Sequence, residues 1–117
     1  MRIFLPVLFS LIAVPALAQS KMVEVHDRAA MPGFSINADV ADDLDVFNQA
    51  GQKIGEVEEV VGSTRETPEA LVVDFEDQVV DYGPEDRIIP LSAFTFDGSG
   101  MVMADGITAT EMPRWRD

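Results

Sequence analysis

The chain has 117 residues, no cysteine and a single histidine, with 21 acidic side chains against 8 basic ones for a formal net charge of −13. That excess repels phosphate backbones and anionic lipid surfaces, which disfavours nucleic acid as a partner. Without cysteine there is no disulfide framework, and His26 alone excludes a multi-histidine metal set within one chain.

The first residues, MRIFLPVLFSLIAVPALAQS, place Arg2 before an almost wholly apolar run and end in the small-x-small signature Ala16-Leu17-Ala18. This is the layout of a secretory signal peptide over residues 1–18, with the cut expected after Ala18. The apolar run is short for a membrane span and carries two prolines, so no stable span is expected after cleavage. The remaining 99 residues are one domain's worth, and loss of Arg2 takes the charge to −14. An exported, small, cysteine-free chain fits a bacterial periplasm.

Residues 19–38 show apolar side chains without a sustained period, broken by Pro32-Gly33, and read as a loose N-terminal arm. Val23 and Val25 alternate there and suit a short added strand. From about Asp43 the pattern changes to short β-type runs between turn signals. Asp43 to Phe47 is a strand candidate, closed by the hairpin loop 48–52. Residues 53–61 (KIGEVEEVV) are ambiguous, because Ile54, Val57 and Val61 stand at helical spacing. The β-branched residues and Gly55 favour a strand, and a bulge at Glu58-Glu59 then brings Val57 and Val60 to one face. With that bulge the glutamates of the stretch are expected to face water.

LVVDF (71–75) alternates as a half-buried strand, and QVVDY (78–82) is a further candidate. RIIPL (87–91) follows, with Pro90 marking an edge or bulge because it cannot donate a ladder hydrogen bond. AFTF (93–96) and MVMA (101–104) flank Asp97-Gly98-Ser99-Gly100, a hairpin signal. Thr108 to Met112 suits one helical turn. About six short strands with no long amphipathic helix predict an all-β fold, a small barrel or sandwich.

The segments DLDVFNQAGQKIGEVEEVV, ALVVDF, RIIPLSAFTF, MVMA and EMPRW, in that order, resemble a PRC-barrel domain over residues 39–113. Gly51, Ile54, Gly55 and Val57 stand at the positions of that family's turn-and-strand motif, and Pro90 with Leu91 at those of a later strand. Where family members often carry a glycine-rich stretch after the A-L-V-V strand, this chain has Glu76 to Tyr82. The resemblance implies a six-stranded β-barrel serving as an interaction module, with residues 114–117 as a tail. In its known settings, the reaction-centre H subunit and a ribosome-maturation factor, it accompanies a membrane helix or a ribosome. The export signal and acidity of this chain fit neither.

Chemistry-bearing patterns are few. None of the serines at 20, 35, 63, 92 and 99 sits in a G-x-S-x-G elbow. Carboxylates cluster at 56–59, 74–81 and 85–86. The D-x-D-x-D-G rhythm of a calcium loop is absent, although Asp42, Asp43 and Asp45 approach it. Paired carboxylates for sugar hydrolysis need an aromatic cleft, and the chain has one Trp and one Tyr. Trp115 either folds back over a barrel end or, with Arg114, anchors a partner, since both residue types dominate interface energetics. The expectation is therefore a non-enzymatic exported module without a cofactor. It would act through protein–protein contact with an envelope protein or itself. An acidic, divalent-cation-responsive protein is the alternative.

Overall fold

The computed structural model describes residues 21–76 and 85–115. The signal-peptide residues 1–18 and the strand candidate 78–82 lie outside them. Among the described residues the chain is all-β, with seven strands and one helix of a single turn. They are β1 (Val23–Glu24), α1 (Ala38–Ala41), β2 (Asp45–Phe47), β3 (Lys53–Gly62), β4 (Ala70–Phe75), β5 (Arg87–Pro90), β6 (Phe94–Phe96) and β7 (Met101–Met103). One-turn 3-10 segments at Leu91–Ala93 and Ala109–Glu111 complete the path, the second where a helical turn is expected from sequence. No helix among the described residues is long and apolar enough to cross a membrane.

The strands make one sheet in the order β5-β4-β3-β2-β7-β6, with β1 added against the far end of β3. Neighbours are antiparallel except β2 and β7, which run parallel through Val46↔Met101 and Phe47↔Val102. The two ends of this order, β5 and β6, are joined directly by the 3-10 turn at Leu91. The sheet is therefore curled into a half-barrel, and its concave face holds the main core. Pro90 closes β5, an edge strand of that order, where a missing N–H does least harm.

The long strand β3 makes the curl possible. Its register slips once against β2, where Val46 faces Gly55 and Phe47 faces Lys53, so Ile54 is the extra residue. It slips again against β4, where Val57 faces Val73 and Glu59 faces Val72, leaving Glu58 unmatched. A one-residue insertion bends a strand and inverts its side-chain phase. Two of them put Ile54, Val57 and Val60 into the same core at three-residue spacing. The apparent helical period of this stretch is thus a twice-bulged strand, and the expected bulge at Glu58-Glu59 is present.

Local chemistry fixes the turns. Gly51 has φ +87° between β2 and β3, a left-handed conformation that glycine adopts without penalty. Asn48 Oδ1 accepts from the amides of Ala50 (3.0 Å) and Gln52 (2.9 Å) and closes that loop. Gly55 is required for another reason. A Cβ there would stand 2.5 Å from the Asp74 carbonyl oxygen and 3.1 Å from Phe75 Cα. In the β6–β7 hairpin the Asp97 carboxylate accepts from the amides of Ser99 and Gly100, both at 2.9 Å, which holds its pKa below the usual value.

The N-terminal arm is less loose than its irregular sequence suggests. β1 pairs with β3 through Val23↔Gly62 and Glu24↔Val61, and Val25 N donates to Val60 O at 3.0 Å. Val25 and Met31 lie in the main core, and Asn37 caps α1 by accepting from Val40 N at 3.0 Å. Burying a few large apolar side chains is enough to tie down a segment with no period of its own.

Candidate functional site

β4 and β5 are apolar on both faces. On β4, Leu71, Val73 and Phe75 enter the concave core, while Ala70 and Val72 point to the convex side. There they join Val61 of β3 and Ile88 of β5 in a second, smaller apolar cluster. Val61 and Val72 are fully buried, so something must cover this face. Two end segments do: Met22 from the arm and Trp115 from the C-terminal tail.

The tail reaches this position as an added strand along the outer edge of β5. Ile88 N donates to Pro113 O at 2.8 Å and Trp115 N donates to Asp86 O at 3.0 Å, framing an antiparallel bridge between Arg87 and Arg114. A sheet edge presents unpaired N–H and C=O groups and recruits whatever extended chain is near. Arg87 fixes the root of the tail. Its Nη1 donates to the carbonyls of Met112 (2.8 Å) and Thr110 (3.3 Å), and its side chain is only 14% exposed. Glu85 completes the clasp. Its carboxylate accepts from Arg114 Nη1 at 3.0 and 3.3 Å and stands 3.8 Å from Arg87 Nη2. A shallow groove of about 360 Å³ opens here, lined by Glu85, Asp86, Arg114 and Trp115.

The exposed ion pair itself contributes little, on the order of 0–1 kcal/mol. The ladder bonds and the partly buried indole hold the tail. Of the residues singled out from sequence, Gly51, Ile54, Gly55 and Val57 lie in the β2–β3 turn and β3, away from this edge, while Pro90 closes β5 itself. Arg114 is exposed, and Trp115 is half-buried on the convex cluster. Val72, Arg87 and Ile88 lie within the ALVVDF and RIIPL runs and Glu85 in an acidic pair, but no candidate position marks them. Their only sequence signal is the pair of apolar neighbours in LVV and RII, which leaves one side chain of each pair facing away from the core.

A second grouping is acidic. Glu24 on β1, Asp42 after α1 and Glu59 at the β3 bulge converge, and Glu59 is half-buried rather than facing water. Burial, a hydrogen bond with the Glu24 side chain, and the charges of Glu24, Asp42 and Glu58 push the Glu59 carboxyl up to about 8. Asp42 is also raised, by burial first and then by Asp43, Glu24, Asp27 and Asp39. This corrects the expectation of uniformly solvated glutamates: Glu56 and Glu58 are exposed, and Glu59 is not. The bulge that turns Val60 inward also brings Glu59 beside Glu24 of β1, where it is half-buried.

His26 lies on the open surface, with Nδ1 3.4 Å from Arg65 Nη2 and Nε2 3.6 Å from Glu66 Oε2. It lines an open groove of about 490 Å³ with Asp27, Arg28, Ala29 and Glu66. Among the described residues no group of three or more His, Cys, Asp or Glu side chains is arranged to hold a metal ion. No protein-family model matches the chain, and no curated protein matches it.

Proposed function

We propose that the chain is a non-enzymatic, exported PRC-barrel-like module that works by protein–protein contact in the bacterial periplasm or envelope, self-association included. The observation that carries this reading is the occupied edge of β5. There an extended segment adds to the sheet through backbone bonds while its aromatic side chain rests on an apolar patch of the convex face. Strand addition of this kind is a general mode of peptide recognition, in which ladder bonds give affinity and side-chain pockets give specificity. The order of β-type segments that resembles a PRC barrel agrees with the curled, all-β half-barrel. The strong negative charge favours partners with basic surfaces and suppresses anionic ones.

In vivo cross-linking of residues 19–117 in the bacterial envelope, followed by mass spectrometry, tests the reading. A stoichiometric envelope protein, or a homo-oligomer, cross-linked through residues 85–88 or 113–115 is the expected result. Absence of any stoichiometric product on any surface, with the chain folded, contradicts it.

A further inference from the structure

The tail that covers β5 has the chemistry of a bound ligand rather than of a core element. Its described contacts are two ladder hydrogen bonds, a carboxylate clasp on Arg114 and one aromatic ring on a small apolar cluster. Met112, just before it, still packs on the main core, while among the described residues Trp115 packs on the convex cluster. Removing residues 113–115 would strip Trp115 from the cluster of Val61, Ala70, Val72 and Ile88 and take the partner from the outward N–H of Ile88. It would also release Glu85 from its strongest partner, since the contact to Arg87 is 3.8 Å against 3.0 Å to Arg114.

Resting on the interaction-module reading, we propose that the β5 edge is a receptor groove for an extended partner segment carrying a cation followed by an aromatic residue. This chain's own tail holds the groove shut. Groove and tail are complementary at three points. The edge demands an extended backbone, Glu85 demands a cation on the residue opposite Arg87, and the patch of Val61, Ala70, Val72 and Ile88 demands a flat apolar group one residue later. Arg114-Trp115 satisfies each demand in cis, and a partner segment of the same pattern satisfies them in trans. Because the tail is tethered, its effective concentration at the groove is of millimolar order, so it weakens any competitor by mass action. Partners must therefore bind well above that threshold or act after the tail is displaced. Self-capping also blunts the strand edge, which would otherwise be a template for pairing with another chain.

The test uses residues 19–117 as wild type and as the Arg114→Ala/Trp115→Ala double variant. The double variant lacks the chain's single tryptophan. The probe is a fluorescent peptide of sequence EMPRWRD, read by anisotropy, with far-UV circular dichroism to verify the barrel. Saturable binding to the double variant, at least tenfold weaker binding to wild type, and loss of binding when Glu85→Lys is added are expected. No saturable binding to a folded double variant, equal binding to both chains, or indifference to Glu85→Lys would overturn the proposal. Should the double variant not fold, the wild-type chain is titrated with EMPRFRD while Trp115 emission is followed. A saturable red shift as the indole is displaced supports the groove, and unchanged emission overturns it. Failed peptide binding alongside a cross-linked partner on another surface would overturn the groove and leave the module reading standing.

Discussion

Glu59 at the bulge of β3 and Glu24 on the neighbouring β1 come within hydrogen-bonding reach, and burial first, then that contact, pushes the Glu59 carboxyl up to about 8. Two carboxylates cannot make such a bond when both are ionised. The arrangement ties a structural feature, the insertion of Glu58, to a chemical one, because the bulge is what brings Glu59 beside Glu24.

Stability should consequently fall as pH rises through the neutral range. The folded-state pKa of Glu59 lies near 8 against an ordinary 4.5, so between those values the folded chain holds a proton that the unfolded chain has released. Stability is greatest below about pH 4.5 as far as this pair is concerned, and its contribution is lost by pH 8. Asp42 and Glu58 add to the repulsion once Glu59 ionises. Glu59→Gln keeps a neutral hydrogen-bonding group and should flatten this dependence. After allowance for solvent screening of the exposed Glu24, the gain at pH 8.5 is about 1 kcal/mol, or roughly 4–8 °C in Tm for a domain of this size. Thermal melts from pH 5 to 9 on both chains give the comparison.

Arg87→Ala should loosen the tail without dissolving the barrel. The substitution strips donors from the Thr110 and Met112 carbonyls and removes the cation beside Glu85. Hydrogen bonds to a charged group contribute about 1.5–3 kcal/mol, and partial exposure puts the loss near the lower end. Urea titration followed by Trp115 fluorescence and by far-UV dichroism should then show two transitions, the fluorescence one earlier.

Gly55→Ala should destabilise the whole sheet. The added methyl meets the Asp74 carbonyl at 2.5 Å and Phe75 Cα at 3.1 Å, both backbone atoms of β4 that cannot rotate away. Overpacking of this kind costs about 1–3 kcal/mol. Chemical denaturation should show a lower midpoint with an unchanged slope.

Much of the fold was legible because short β-runs and turn residues announce themselves locally. Asn48 to Gln52 and Asp97 to Gly100 form the loops their composition suggests, and bringing Val57 and Val60 of KIGEVEEVV to one face called for the bulge that is found. The parallel pairing of β2 with β7 was not legible, since nothing local distinguishes which distant strand a neighbour will be. Nor was the packing of the arm, where Val25 and Met31 reach the core from an aperiodic segment. At the edge of β5, Trp115 stood out by residue type, but Arg87 did not. Its role comes from facing the carbonyls of Thr110 and Met112, more than twenty residues away. Val72 and Ile88 offered a partial signal: apolar residues on both faces of a strand imply a cover on both faces, without saying which segment provides it.

Whether the tail is docked yet separable from the barrel is read most directly by native-state hydrogen exchange of the Ile88 amide, which donates to Pro113 O at 2.8 Å. Clear protection is expected in the wild-type chain, and in Trp115→Ala a large loss of protection at Ile88 while Leu71 and Val73 in β4 stay protected. An Ile88 amide that exchanges freely in the wild-type chain, or one that loses protection only together with Leu71 and Val73, would contradict a docked and separable tail.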